Sequence, residues 1–299
     1  MPGARRPPFY RGAVTRHRDT GRVGTRVARV VAACAIALAV FAVVLPVASG
    51  YPYLDDLLST PEASVALAFS GVGVVLVGRA RAYAMGWLVV AIGAVAAAYT
   101  ASTSWTAYTL GGDSGSALPD GADLAVVTAW VSSWAWFPVT VLVGAVYPQV
   151  LPYGRPLGPR WRVPLVAAAL CLAVGVLDHT TEPGTLGTFT AVQNPLGSES
   201  LHDVAAPVWR LLSMVLVGLV VVSLASLVVR FRRAEGVERW QVGWFGYAVA
   251  VAGLLALAGS PSFTHPAVML VPAGLVVTDP RPIGRRRAGA GRRRAVATR

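Results

Sequence analysis

Apolar runs of roughly the length that crosses a bilayer, about 20 residues, recur along this 299-residue chain and constrain its fold more than any other feature. In hydrocarbon every backbone N–H and C=O needs a partner inside the protein, which leaves helices or closed barrels. Barrel strands take only about 9–11 residues, so the runs read as helices. Spans are expected at 27–49, 62–78, 84–106, 123–147, 163–178, 207–230, 240–259 and 262–278. The expected fold class is an all-α polytopic transmembrane bundle of about eight spans. It is flanked by Arg-rich tails at 1–26 and 279–299, with 27–278 as the membrane domain. Composition agrees: 13% of residues are charged, against about 25% in soluble domains. The first run exceeds the apolar core of a signal peptide, about 7–15 residues, and is read as an uncleaved anchor. Arg5-Arg6 lies too far before Val27 to make a twin-arginine signal.

Charge orients the spans. All 26 basic residues are arginine, and 25 of them fall in the two tails and in the second, fourth and sixth loops or within a turn of them. The alternate loops carry Asp55, Asp56, Glu62, Asp113, Asp120, Asp123, Asp178, Glu182, Glu199 and Asp203, with Arg210 the lone arginine. Arginine marks the cytoplasmic side, so both termini are expected inside. Tyr51, Tyr53, Trp105, Tyr108 and Trp209 then sit at the outer interface, and Trp87, Tyr147, Trp161, Trp240 and Trp244 at the inner one. The net charge of +12 belongs to this topology and to anionic headgroups facing the tails, not to nucleic acid. The chain has no aromatic-basic RNA motif and no zinc-finger spacing. Cys34 and Cys171 lie in different spans and read as small apolar fillers. Arginine without lysine, beside abundant Ala, Gly and Val, suggests a GC-rich bacterial source and hence the bacterial plasma membrane.

The stretch "RFRRAEGVERWQVGWFGY", Arg230–Tyr247, reads as a short cytoplasmic hairpin between spans six and seven, with Glu235 and Arg239 at the helical i,i+4 spacing. Its basic run followed by Gly236, Glu238, Arg239, Gln241 and Trp244 resembles the "G-x-E-R-x-Q-x-x-W" juxtamembrane loop in multispan input domains of bacterial sensor histidine kinases. Three further pieces occur in that family's order. "MGWLVVAIG" (Met85–Gly93) is similar to a helix start "N-x-x-GWLL…G", without the asparagine. "YPQVLPYGRPLGPRWR" (Tyr147–Arg162) is similar to a loop "FPDG-x-L-P-S-x-RW", with an insertion and without the aspartate. "QNPLG" (Gln193–Gly197) is similar to an extracytoplasmic "NPLG". The resemblance covers roughly residues 65–260 and implies a signal-receiving membrane domain. It marks Arg232, Glu238, Arg239, Gln241 and Trp244 as a cytoplasmic signalling loop. In that family a phosphoacceptor helix pair and an ATP-binding domain follow the last span. Residues 278–299 are too few for these and hold none of the four histidines, so kinase activity is not expected of this chain.

Two constellations carry sharper hypotheses. His179, Glu182, His202 and Asp203, with Asp178, lie in or beside the loop after span five, where histidines near carboxylates suit a pH or divalent-metal sensor. The plainer reading is a solvated loop, because a flexible Gly/Thr-rich stretch separates the pairs. Tyr99, Ser102 and Trp105 on span three face the polar outer half of span four with Trp130, Ser133 and Trp134. These residues either pack on one another or line a cavity for an amphipathic ligand, with Pro138 kinking span four below it. Midplane ionisable residues and inverted repeats of broken helices, the marks of ion-coupled transporters, are missing. No nucleophile–base pair, Walker motif, HExxH or cofactor motif occurs. The expected function is non-catalytic sensing or relay of a signal to a histidine kinase or another signalling protein, with a second copy of the chain left open as a partner. A small transporter or membrane enzyme, or the remnant of a truncated kinase gene, are the alternatives.

Overall fold

The computed structural model describes residues 9–49, 61–79, 83–111, 122–187 and 189–257. These are mostly helical. Helix α1 (Phe9–Ser49) packs with α2 (Pro61–Val77) and α3 (Tyr83–Thr109) as one group. The next helical stretch is made of pieces: α4 (Asp123–Trp134), α5 (Trp136–Val141), a π-helical turn (Leu142–Val146) and α6 (Tyr147–Val150). After a short 3-10 turn (Pro159–Trp161) come α7 (Arg162–Thr181), a hairpin of β1 (Thr185–Leu186) and β2 (Phe189–Gln193), α8 (Glu199–Arg233) and α9 (Gly236–Leu257).

Five helical stretches among the described residues are long and apolar enough to cross a membrane: Val23–Ser49, Tyr83–Thr109, Asp123–Val150, Pro159–Thr181 and Glu199–Arg233. Glu62–Val77 is a shorter apolar helix. The expected eighth span, 262–278, lies outside the described residues. Val163, Val166 and Leu170 on α7, and Leu211, Met214, Val217 and Val221 on α8, are exposed at helical spacing, an apolar face on each helix. In water such a face is an aggregation liability. It is compatible with a protein that meets lipid.

Small residues set the packing of the first group. On α1 the buried residues Ala28, Ala32, Ala35, Ala39 and Ala42 recur every three or four positions, a seam that lets helix backbones approach. Between α2 and α3 the approach is closer still. A Cβ on Gly73 would lie 2.9 Å from Val90 N, on Gly86 2.5 Å from Val77 N, and on Gly93 2.6 Å from Ser70 N. The central position of α3 follows: it is buried on several sides, against α1, α2, α4 and α5.

Prolines break the stretch Asp123–Val150. Pro138 has no N–H for Trp134 C=O, and the helix is interrupted at Ala135. Pro148 likewise offers nothing to Gly144 C=O. There the chain widens by one residue, so that Tyr147 N–H donates to Leu142 O, five residues back. Tyr147 is wholly buried between the rings of Phe69 at 5.5 Å and Phe245 at 5.2 Å, which ties α6 to α2 and α9. The two cysteines are free, Cys34 exposed and Cys171 buried.

Candidate functional site

At one end of the bundle the segment between α7 and α8 is ordered as a clasp. Leu186, Phe189 and Val192 are buried against Ala107, Leu110 and Ala129, so the hairpin covers the ends of α3 and α4. This corrects the expectation of a flexible, solvated stretch: alternate apolar side chains of a short hairpin found a hydrophobic seat. Asn194 is the buckle. Its Nδ2 donates to Thr180 O at 3.2 Å and Glu182 O at 2.7 Å, satisfying carbonyls at the C-terminal end of α7. Its Oδ1 accepts from Leu196 N at 3.0 Å, which makes the turn into α8. Ser198 N donates to Thr181 O at 3.0 Å and completes the closure.

The clasp brings together residues that are distant in sequence. His202, in the first turn of α8, places Nδ1 3.3 Å from Asp178 Oδ1 in the last turn of α7. Asp178 is only 5% exposed, and neither its Oδ1 nor His202 Nδ1 makes a hydrogen bond among the described residues, so the contact between them is one of proximity and charge. His179 points into a ring cluster, with centroids of Phe137, Trp136 and Trp209 at 5.2, 5.6 and 5.7 Å. Gly175 makes room for that cluster, since a Cβ there would lie 2.5 Å from the Phe137 ring and 2.9 Å from Trp209. Glu182 and Asp203 are exposed. Among the described residues no three His, Cys, Asp or Glu side chains converge to hold a metal. The metal alternative for His179, Glu182, His202 and Asp203 therefore lacks a ligand set, because aromatic rings occupy the space around His179. What remains is a buried carboxylate facing an imidazole, a pair that can hold or release a proton.

The polar C-terminal half of α3 and the N-terminal half of α4 meet through hydroxyls. Thr106 Oγ1 and Thr128 Oγ1 lie 2.8 Å apart, and Thr106 also donates to Ser102 O at 3.0 Å. Ser102 is buried, and Tyr99 is half-buried on the same helix. Trp105 turns toward α1, its ring 6.3 Å from Phe41, and stacks at 6.0 Å on Tyr108. Trp130 turns toward α7, donating from Nε1 to Thr180 O at 3.3 Å, and meets Trp134 edge-on at 5.5 Å. Ser133 Oγ closes locally on Trp130 O at 2.8 Å. Trp105 and the Trp130–Trp134 pair thus serve different neighbours. Trp134 Nε1 is buried without a partner among the described residues.

At the other end the π turn and α8 share a buried polar network. Ala145 O accepts from Gln149 Nε2 at 2.6 Å and from Ser223 Oγ at 2.6 Å, and Gln149 Nε2 also reaches Ser223 Oγ at 3.1 Å. Ser226 Oγ donates to Ser223 O at 2.7 Å. One turn further on, Arg230 is 7% exposed and donates from Nη2 to Gln149 O at 2.5 Å and Arg155 O at 2.7 Å. A cation on the last carbonyls of a helix meets both their orphaned acceptors and the negative end of the helix dipole. Arg230 therefore caps α6 and pins the loop after it. That loop also presses on α3: Gly154, at φ +75, comes so close that a Cβ would sit 2.7 Å from Met85 N.

The residues marked as a signalling loop lie just beyond. Arg232 is exposed, Glu238 half-buried and Gln241 buried. Arg239 places its guanidinium 4.8 Å from the Phe231 ring centroid. The expected helical pair of Glu235 with Arg239 does not form, because Gly236 at φ +55 starts α9 and leaves Glu235 outside the helix. Arg239 then settles on the aromatic face instead. Trp244 lies tilted against Tyr247, centroids 6.2 Å apart.

Gln149, Ser223 and Gly175 are positions that sequence reasoning passed over, and the contacts of Asn194 and Arg230 were not foreseen although their stretches were singled out. Asn194-Pro195 carries a turn signal. The buried arginine and the small polar residues of α8 carry no local one. Comparison with protein-family models, curated proteins and solved structures finds no match to this chain.

Proposed function

We propose that the chain is a polytopic protein of the bacterial plasma membrane, with eight spans and both termini cytoplasmic. In this reading it receives a signal at its outer end and relays it to a cytoplasmic signalling partner such as a histidine kinase, without catalysing a reaction. The observation that carries the proposal is α8. This single 35-residue helix holds His202 against Asp178 at one end and Arg230 against Gln149 and Arg155 at the other. The two contacts are separated along the axis by about 42 Å at 1.5 Å per residue, more than the ~30 Å hydrocarbon core. A shift or rotation of α8 that accompanies a change at the Asp178–His202 contact alters the seat of Arg230, and with it the loop and the α8–α9 hinge. Helix shifts of about 1–2 Å are a common form of such transmission. The resemblance to histidine-kinase input domains and the one-sided arginines support the direction, outer face to cytoplasm.

The test places a cysteine at Val237, beside the hinge, in a chain whose own Cys34 and Cys171 are replaced by alanine. Its alkylation rate is followed in sealed vesicles while the pH on the Asp178 side is lowered. The rate is expected to change, and the change to vanish in Asp178→Asn. A rate that is insensitive to that step, or a response that survives Asp178→Asn, overturns the relay.

A further inference from the structure

The two faces of α9 differ. Val242, Phe245 and Ala248 are buried against the bundle core. The opposite stripe, at i, i+3, i+4 and i+7, is Trp240, Gly243, Trp244 and Tyr247. With Phe231 and Arg239 it lines an open apolar groove of about 620 Å³ between the end of α8 and α9. That volume lies within the ~300–1,000 Å³ of small-molecule sites. Trp240 is 75% exposed. Gly243 keeps the groove open, for a Cβ there would already lie 3.2 Å from the Phe231 ring.

The polarity of the groove runs along its length. At the hinge end stands Arg239, stacked on Phe231, with no carboxylate within salt-bridge reach among the described residues. Exposed Arg232 and Arg233 follow it in the same hinge. The far end, at Tyr247, carries no charge. From Gly236 to Tyr247 the helix rises about 16 Å, close to one leaflet's share, about 15 Å, of the hydrocarbon core. Tryptophans at headgroup level beside a cation, with apolar surface running inward, match a single amphiphile in charge and in depth.

We propose that this groove is a binding site for one anionic phospholipid. Its phosphate lies on Arg239 between the indoles of Trp240 and Trp244, and an acyl chain runs past Gly243 toward Tyr247. The proposal rests on the reading that the chain spans a membrane. Because the site is built on the hinge that α8 meets, a lipid seated there sets the angle between α8 and α9.

The test uses the full chain, purified in a neutral detergent and titrated with phosphatidylglycerol or phosphatidylcholine carrying bromine on one acyl chain. The readout is the part of tryptophan quenching that disappears in Trp240→Phe/Trp244→Phe. Phosphatidylglycerol is expected to quench saturably at lower concentration than phosphatidylcholine. Arg239→Gln is expected to weaken it by about tenfold, one charge-assisted contact's worth, and Gly243→Leu, which fills the groove, to weaken both lipids. Equal quenching by the two lipids, or quenching untouched in both variants, overturns the site. So does a cysteine at Tyr247 that cross-links to a second copy or to the chain beyond Leu257, since either then occupies the groove. Resistance of the chain to alkaline extraction from membranes is measured alongside. Its loss refutes the membrane reading itself, whereas failure of the lipid titration alone refutes only the site.

Discussion

Replacing Arg230 with methionine isolates what the buried guanidinium does. Methionine keeps much of the side-chain length and the apolar stem, so little packing is lost. What goes is the pair of donations to Gln149 O at 2.5 Å and Arg155 O at 2.7 Å. A hydrogen bond from a charged group is worth about 1.5–3 kcal/mol, and each buried acceptor left without a donor costs about 1–3 kcal/mol. Part of this is returned, because methionine has no charge to desolvate. The balance is a loss of about 2–4 kcal/mol. It is confined at first to the segment that Arg230 pins, Leu151 to Trp161. Thermal unfolding in detergent is expected to fall by about 4–16 °C, using ~2–4 °C per kcal/mol for a domain of this size. Proteolysis within Leu151–Trp161 is expected to rise before global unfolding begins. Arg230→Lys should fall between the two, since an ammonium is a point charge that does not reproduce the planar fork. A methionine variant that melts within about 1 °C of the parent, with the loop equally protected, refutes the capping argument.

The helix contacts make a paired prediction: Gly93→Ala forces a Cβ to 2.6 Å from Ser70 N and is expected to destabilise by about 1–3 kcal/mol. Gly218→Ala, with nothing within 4 Å of its Cβ, is expected to be neutral or to stabilise by up to about 1 kcal/mol; equal melting temperatures for the two variants contradict the packing of α2 on α3. Asn194→Ala removes both donations to the end of α7, and amide exchange across 189–193 should accelerate while that of α3 stays unchanged. For topology, a cytoplasm-active reporter fused after Arg299 should be active. Replacing Arg281, Arg285, Arg286, Arg287, Arg292, Arg293 and Arg294 with Gln should make its location mixed. A periplasm-active signal from the unmodified tail counts against eight spans.

The helices of this chain were legible because their signal is local. A run such as Val163–Asp178 is apolar enough to be helical in lipid whatever surrounds it, and the described helix Arg162–Thr181 extends the expected bounds by a residue at one end and three at the other. Helix α8 begins at Glu199, well before the expected 207, because its first turns are amphipathic and anchored by the clasp rather than by hydrocarbon. The prolines announced trouble in the stretch Asp123–Val150. They did not announce its form, since a π turn depends on which side chains are at hand to donate to the displaced carbonyls. Here Gln149 and Ser223, 74 positions apart, supply the answer at Ala145 O.

The chain's linear order thus determined a helical, lipid-compatible architecture, which follows from the transfer free energies of single segments. Tertiary structure decided the rest. It put His202 on Asp178 and rings around His179, turned Trp105 and Trp130 to different neighbours, and gave Arg230 the carbonyls of a helix end and Arg239 the face of Phe231. The physical reason is that lipid offers apolar side chains nearly the same solvation on any helix face. Periodicity therefore says little about which face meets which helix. That choice falls to close glycine and alanine contacts and to a few buried polar atoms, whose partners lie tens of residues away.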